Sequence, residues 1–306
     1  MAEHNHNHDH ADALSGGKFL FVTVLNALIT VVEFIGGIFA GSLSLISDGF
    51  HNLGDSLSVV LSYYAHRISG RQQTSRNTYG FKRAQIIAAF INSVFLIVVS
   101  GFLIIEAVQK LMHPEKVDGD LMFIVAVIGM IANFISAVML SRGARGNLNV
   151  RATYLHFLSD SLSSVGIIIA GILIKVFGWY FTDPLVTMIV AVYIIIETWP
   201  IIKKTIYILM QGAPQIDCQH LRKDIMDING VTNVHHVHIW SIDENSVIFS
   251  AHVNMDDMLI SDAEQIYEPI GDMLKQKYNI DHVTIQAEVE RGKQEDFFFD
   301  QGKDIK

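Results

Sequence analysis

The sequence predicts a membrane α-helical protein: six transmembrane helices followed by a cytosolic α+β domain of α-β-β-α-β order, ferredoxin-like. Three observations carry that prediction. Hydrophobic residues make up 50% of the 306 and only 17% are charged, against about a quarter in soluble domains. Six apolar windows near the ~20 residues that cross a bilayer all fall in the first two-thirds. Charge is also split: residues 1–212 hold 14 Lys+Arg and 13 Asp+Glu, whereas 213–306 hold 8 and 18. A nearly neutral apolar stretch joined to an acidic one reads as a membrane domain followed by a soluble one. The expected divisions are a His-containing cytosolic tail (1–17), a transmembrane domain (18–212), a cytosolic α+β domain (213–290) and a C-terminal tail (291–306).

The windows run Phe19–Gly41, Leu43–Ile68, Gln85–Met112, Leu121–Ser141, Ala152–Phe177 and Pro184–Ile202. The first is too long for a signal-peptide core and lacks a small-residue cleavage site. Lys and Arg gather in alternate connections: Arg67, Arg71, Arg76, Lys82 and Arg83 after the second, Arg142, Arg145 and Arg151 after the fourth, Lys203 and Lys204 after the sixth. That asymmetry predicts both termini in the cytoplasm.

Beyond Gly212 the pattern changes. Residues 217–228 read as a short amphipathic helix, and 231–241 and 246–255 as strands. Residues 261–278 read as a helix opening on Ser261, Asp262 and Glu264. Val283, Ile285, Ala287 and Val289 then alternate with polar residues, as in a half-buried strand. The last residues, with Phe297-Phe298-Phe299 among charges, read as a disordered or loosely docked tail. An acidic total argues against nucleic acid as a partner. One cysteine, Cys218, excludes internal disulfides and multi-cysteine metal sites.

Charged residues inside apolar windows are functional candidates, since one at the bilayer centre costs about 2.5–3.5 kcal/mol or more. Asp48, Glu106 and Glu197 read as helix-end acids reaching the interface, and Glu33 as a hydrogen-bonding residue of the bundle interior. The remaining two differ. His51-Asn52-Leu53-Gly54-Asp55-Ser56-Leu57-Ser58 and His156-Phe157-Leu158-Ser159-Asp160-Ser161-Leu162-Ser163 agree at six of eight positions. In each, His and Asp stand four apart on one helix face. Two such helices face to face gather two imidazoles and two carboxylates, a donor set suited to tetrahedral Zn²⁺. The alternating His4, His6, His8 and His10 can collect metal only loosely.

At these paired motifs, preceded by Ser42-Leu43-Ser44-Leu45-Ile46-Ser47-Asp48, the chain resembles the cation diffusion facilitator family. Asn26, Glu33, Tyr79-Gly80-Phe81-Lys82-Arg83-Ala84 and Thr182-Asp183-Pro184 look like family sequence too. The resemblance implies a homodimeric exporter in the lipid bilayer that moves Zn²⁺ out of the cytoplasm in exchange for protons. Its transport site would be His51, Asp55, His156 and Asp160, the set of the zinc-selective branch. In the tail, Val234-His235-His236-Val237-His238-Ile239-Trp240, Ser250-Ala251-His252 and Thr284-Ile285-Gln286-Ala287-Glu288 are similar to the family's cytosolic metal-binding domain. They imply His235, His252 and Glu288 as ligands of a further, regulatory Zn²⁺.

Some departures narrow this. Lys82 and Gln85 stand where many relatives carry His and an acid, and no histidine lies between His66 and His113, so no metal site is expected there. The connection Gly143 to Asn149 lacks a His-rich insert, a role the N-terminal histidines can take. Gln286 replaces a further His. Strict alternation also puts His235 on the face of Val237 and Ile239, opposite His236 and His238, unless His235 sits at the very start of the strand, where parity need not bind it. Competing readings are an exporter of Cd²⁺, Co²⁺ or Mn²⁺, a metal-sensing membrane scaffold, and an intramembrane metalloenzyme. The last lacks a His-Glu-x-x-His helix, so the chain is expected not to be an enzyme. A bacterial inner membrane is the expected location.

Overall fold

A computed structural model describes residues 9–141 and 148–298, with side chains over 21–141 and 154–298. The N-terminal histidines as far as His10, the whole connection after the fourth helix with the start of the fifth, and Phe299 onward lie outside the described side chains. Two compact units divide the chain. One holds the chain as far as Tyr64 with Ala88–Ile202, the other Ala65–Ile87 with the chain from Lys203.

Six long helices come first: α1 (Asp9–Ala40), α2 (Leu43–Ser69), α3 (Ala84–Met112), α4 (Gly119–Ser141), α5 (Leu148–Phe177) and α6 (Thr182–Leu209). Their patterning is inverted relative to a soluble bundle. On α1 the exposed face is Phe21, Val24, Leu28, Val31, Ile35 and Ile38, whereas Asn26, Thr30 and Glu33 are buried. Lipid tails are as apolar as leucine, so polar groups turn inward where protein can satisfy them. Five of the six are long and apolar enough to span a bilayer. The exception is α2. Its 27 residues reach about 40 Å at 1.5 Å per residue, but Asp48, His51, Asn52, Asp55, His66 and Arg67 lower its hydropathy. The least apolar of the six is one of the two helices that carry a His/Asp motif.

The second unit adds α7 (Cys218–Met226), β1 (Val231–Ser241), β2 (Val247–Met255), α8 (Ile260–Tyr278) and β3 (His282–Glu288), the expected α-β-β-α-β order. β1 and β2 pair antiparallel and β2 and β3 parallel, in the order β1-β2-β3. A parallel neighbour needs a crossover, which α8 supplies. Leu221 and Ile225 of α7 and Ala263, Ile266, Ile270 and Leu274 of α8 pack with Val234, Phe249, Ala251 and Val253 on one sheet face. Asp217 caps α7, accepting from the Gln219 and His220 amides. Asp224 on α7 accepts from Lys277 and Tyr278 on α8, which hold its carboxyl below the usual range.

Two expectations are corrected here. α8 is capped by Leu259 without a side-chain hydrogen bond, so Ser261 lies inside the helix. The end of the chain is no loose tail as far as Phe298. Phe297 is buried in the domain core, and its carbonyl accepts from the Val237 amide at 3.0 Å. Asn233 Nδ2 donates to the carbonyls of Gly292, Lys293 and Glu295, and Asn254 Nδ2 to those of Val289 and Arg291. Two buried asparagines thus hold residues 289–295 across the sheet by backbone contacts, which composition cannot reveal.

Candidate metal centre

The two His/Asp motifs meet. His51 and Asp55 project from α2, His156 and Asp160 from α5, and one ligand atom from each lies within 4.8 Å of the others. The four interleave. His51 Nε2 stands 3.3 Å from Asp160 Oδ1 and 3.7 Å from Asp55 Oδ2. His156 Nε2 stands 3.0 Å from Asp55 Oδ2 and 3.5 Å from Asp160 Oδ2. Each imidazole therefore sits between its own helix's carboxylate and the other's. With Zn–N and Zn–O near 2.0–2.2 Å, a tetrahedral edge is about 3.3 Å, so these separations suit one small ion. Asp160 Oδ2 is buried without a hydrogen-bond partner, a lone pair open to a ligand. The His156 side chain is 38% exposed and that of Asp160 5%, so the cluster is least covered at His156.

α1 and α4 support α2. Asn52 Nδ2 donates to Glu33 Oε2 at 2.7 Å, and Asn26 Nδ2 to the Asn52 carbonyl and Ser56 Oγ. A Cβ on Gly129 of α4 would stand 2.7 Å from Glu33 Oε1, so any larger residue there must displace that carboxylate. Glu33 is thus the interior hydrogen-bonding residue expected of it. Asp48 is not the interfacial acid expected: it is 3% exposed and accepts from Ser164 Oγ of α5. One turn from the start of α2 it could have reached water, but α5 covers it. Glu197 is exposed on α6.

The residue sequence reasoning missed is Asp183. In the first turn of α6 it resembles an ordinary helix-dipole acid, yet it is fully buried and caps a different helix. Its Oδ1 accepts from Ser42 Oγ and Ser44 Oγ, both at 2.6 Å, and from the Ser44 amide at 3.1 Å; Oδ2 accepts from the Leu43 amide at 2.8 Å. The two amides are first-turn donors that α2 itself leaves unpaired, so Asp183 fixes where the site-bearing helix begins. Asp183→Ala strands the two buried amides of Leu43 and Ser44 and leaves the Ser42 and Ser44 hydroxyls only each other; it is expected to cost about 2–4 kcal/mol, read as a lower melting temperature in detergent. Melting equal to the parent would show that the cap contributes nothing.

A second cluster lies on the sheet face opposite the helices: His235 of β1, His252 of β2 and Glu288 of β3. Glu288 faces both rings, Oε2 at 3.3 Å from His235 Nε2 and Oε1 at 3.2 Å from His252 Nδ1. The alternation argument put His235 on the wrong face. β1 carries a bulge between His235 and His238, with His236 at φ 51°. The extra residue resets the alternation, leaving His235 opposite His252 while Val237 and Ile239 turn to the core. Gln286 Nε2 donates to Glu288 Oε1 at 2.7 Å. His235 is almost wholly buried under the C-terminal segment, and Glu288 Oε2 and His235 Nδ1 are buried without hydrogen-bond partners. Two imidazoles and a carboxylate with an uncompensated oxygen fit a divalent ion.

The fold and these clusters define a class: an integral membrane helical protein with side chains inside its bundle that could ligate a metal, followed by a cytoplasmic α+β domain. Residues 19–210 match the cation efflux transmembrane domain, and 213–290 the cation efflux protein cytoplasmic domain. A cadmium, cobalt and zinc/H(+)-K(+) antiporter of Bacillus subtilis is 38% identical over 287 residues, 92% of either chain. The zinc transporter ZitB of Escherichia coli is 34% identical over 291 residues, again 92% of either chain. The metal cation efflux system protein CzcD of Cupriavidus metallidurans is 32% identical, covering 93% of this chain and 90% of its own. The chain belongs to the cation efflux, or cation diffusion facilitator, family, in its zinc-transporting branch. It is a metal-cation efflux transporter and not an enzyme.

Proposed function

We propose that the protein exports Zn²⁺ from the cytoplasm in exchange for protons, through His51, Asp55, His156 and Asp160 between α2 and α5. The observation that carries this reading is the interleaved N₂O₂ cluster, with edges of 3.0–3.7 Å. Two carboxylates neutralise the ion's charge inside the bundle, and nitrogen donors favour Zn²⁺ over harder ions such as Mn²⁺. The names of the B. subtilis and E. coli relatives support zinc, and the former supports proton exchange. In this reading residues 18–212 form the transport domain, 213–290 the cytosolic domain, both termini are cytoplasmic, and the protein is a homodimer in a bacterial inner membrane. The test is flux of Zn²⁺, Cd²⁺ and Mn²⁺ into proteoliposomes. Zn²⁺ is expected to lead, and failure of Zn²⁺ to move at all would overturn the proposal.

His235, His252 and Glu288 are proposed to hold a regulatory Zn²⁺, which would tie the three strands together. Gly292 offers a test. Its φ is +66°, and a Cβ there would lie 2.0 Å from His235 Nε2. Gly292→Ala therefore displaces the ring and strains the backbone. With the membrane site disabled by Asp55→Ala, saturating zinc at about 100 times the dissociation constant is expected to stabilise the protein by about 2.7 kcal/mol. Gly292→Ala removes that gain. Equal melting with zinc and with a chelator, before Gly292 is changed, would refute the regulatory site.

A further inference from the structure

A cavity of about 810 Å³ lies within the second unit, between the α2–α3 connection, the first turn of α3 and β1. Arg76, Lys82 and Arg83 line it, and no carboxylate does. Lys82 Nζ donates to Ser246 Oγ at 2.8 Å, which fixes one ammonium at the wall. None of the three cations is ion-paired among the described residues, so the cavity gathers positive charge without an internal counter-ion. Asn77, Thr78, Gln211, His238 and Ser250 add neutral polar groups to the wall, and the rest of it is apolar. Tyr79 and Trp240 contribute aromatic surface, and Ile87, on the first turn of α3, is 46% exposed. α3 is one of the helices apolar enough to span a bilayer. Its start therefore belongs at the depth of the headgroups, with Ile87 at the edge of the acyl region. Aromatic rings and basic side chains at that depth are the usual partners of lipid headgroups.

We propose that this cavity binds the headgroup of an anionic phospholipid. The phosphate lies against Arg76, Lys82 and Arg83, and the first acyl carbons lie along Ile87. Charge complementarity selects the anion, and the apolar rim selects a lipid over a soluble phosphate. The purified full-length transporter in neutral detergent supplies the test, with melting followed during titration by short-chain phosphatidylglycerol, phosphatidylcholine of equal chain length, or inorganic phosphate. Phosphatidylglycerol is expected to raise the melting temperature, and the others to leave it unchanged. The shift should vanish near 1 M salt, where the screening length is about 3 Å. Arg76→Gln and Arg83→Gln are each expected to weaken the titration about fivefold. An equal shift with phosphatidylcholine would mean nonspecific detergent replacement, and a full shift with inorganic phosphate would mean a soluble-anion site. Either result overturns the proposal. So does an unchanged titration in the double variant; where that variant does not fold, persistence of the wild-type shift at high salt overturns it.

Discussion

Asp55→Ala and Asp160→Ala are each expected to abolish Zn²⁺ flux in proteoliposomes while leaving a folded protein in detergent. The size of the effect follows from the interleaving. Asp55 Oδ2 lies 3.7 Å from one imidazole and 3.0 Å from the other, and Asp160 stands in the same relation to both. In the proposed site either deletion removes one of four ligands and would leave a bound Zn²⁺ with one uncompensated positive charge inside the bundle. Even partners outside the coordination shell typically cost about 10–100-fold, so a ligand should cost more. Elution volume and melting separate a folded, inactive transporter from a collapsed one. Wild-type flux in either variant would refute the assignment of these four residues, though not membership in the family.

Proton coupling carries the second large effect. Zn²⁺ binds neutral imidazole and ionised carboxylate, so metal and protons compete for the same four side chains. A site that crosses metallated and returns protonated moves little net charge in either direction, which a low-dielectric bundle favours. An imposed gradient of about two pH units supplies about 2.7 kcal/mol per proton exchanged. That shifts the accumulation ratio of Zn²⁺ about a hundredfold for each proton. Vesicles with an acidic lumen should therefore load far beyond vesicles at equal pH, and replacing both His51 and His156 by Asn should shrink the ratio. Flux indifferent to the gradient, together with no proton release on zinc binding by calorimetry in buffers of different ionisation heat, would exclude exchange while leaving the zinc site standing.

The candidate transport site is legible in the sequence because its information is local. Four-residue spacing on a helix fixes a shared face, and a near-identical second copy gives the partner. The second site was legible only in part. Its three residue types stand in the sequence, but the face of His235 depends on one unpaired residue in β1. A bulge is a property of two strands in register rather than of one.

The sequence by itself determined the helical windows, the α-β-β-α-β order and the paired His/Asp motifs, since these follow from periodicity and composition within a few turns of chain. Only the tertiary structure decided which acids are buried. Asp183 and Asp48 look like helix-end residues in sequence, yet one caps α2 across 141 positions of chain and the other is covered by α5. It also decided that β1 is bulged, and that residues 289–298 close over His235 through carbonyl groups any sequence would supply. The physical reason is common to all of these. A carboxylate's role is set by the donors that remote segments bring to it, and a backbone carbonyl carries no mark of its partner.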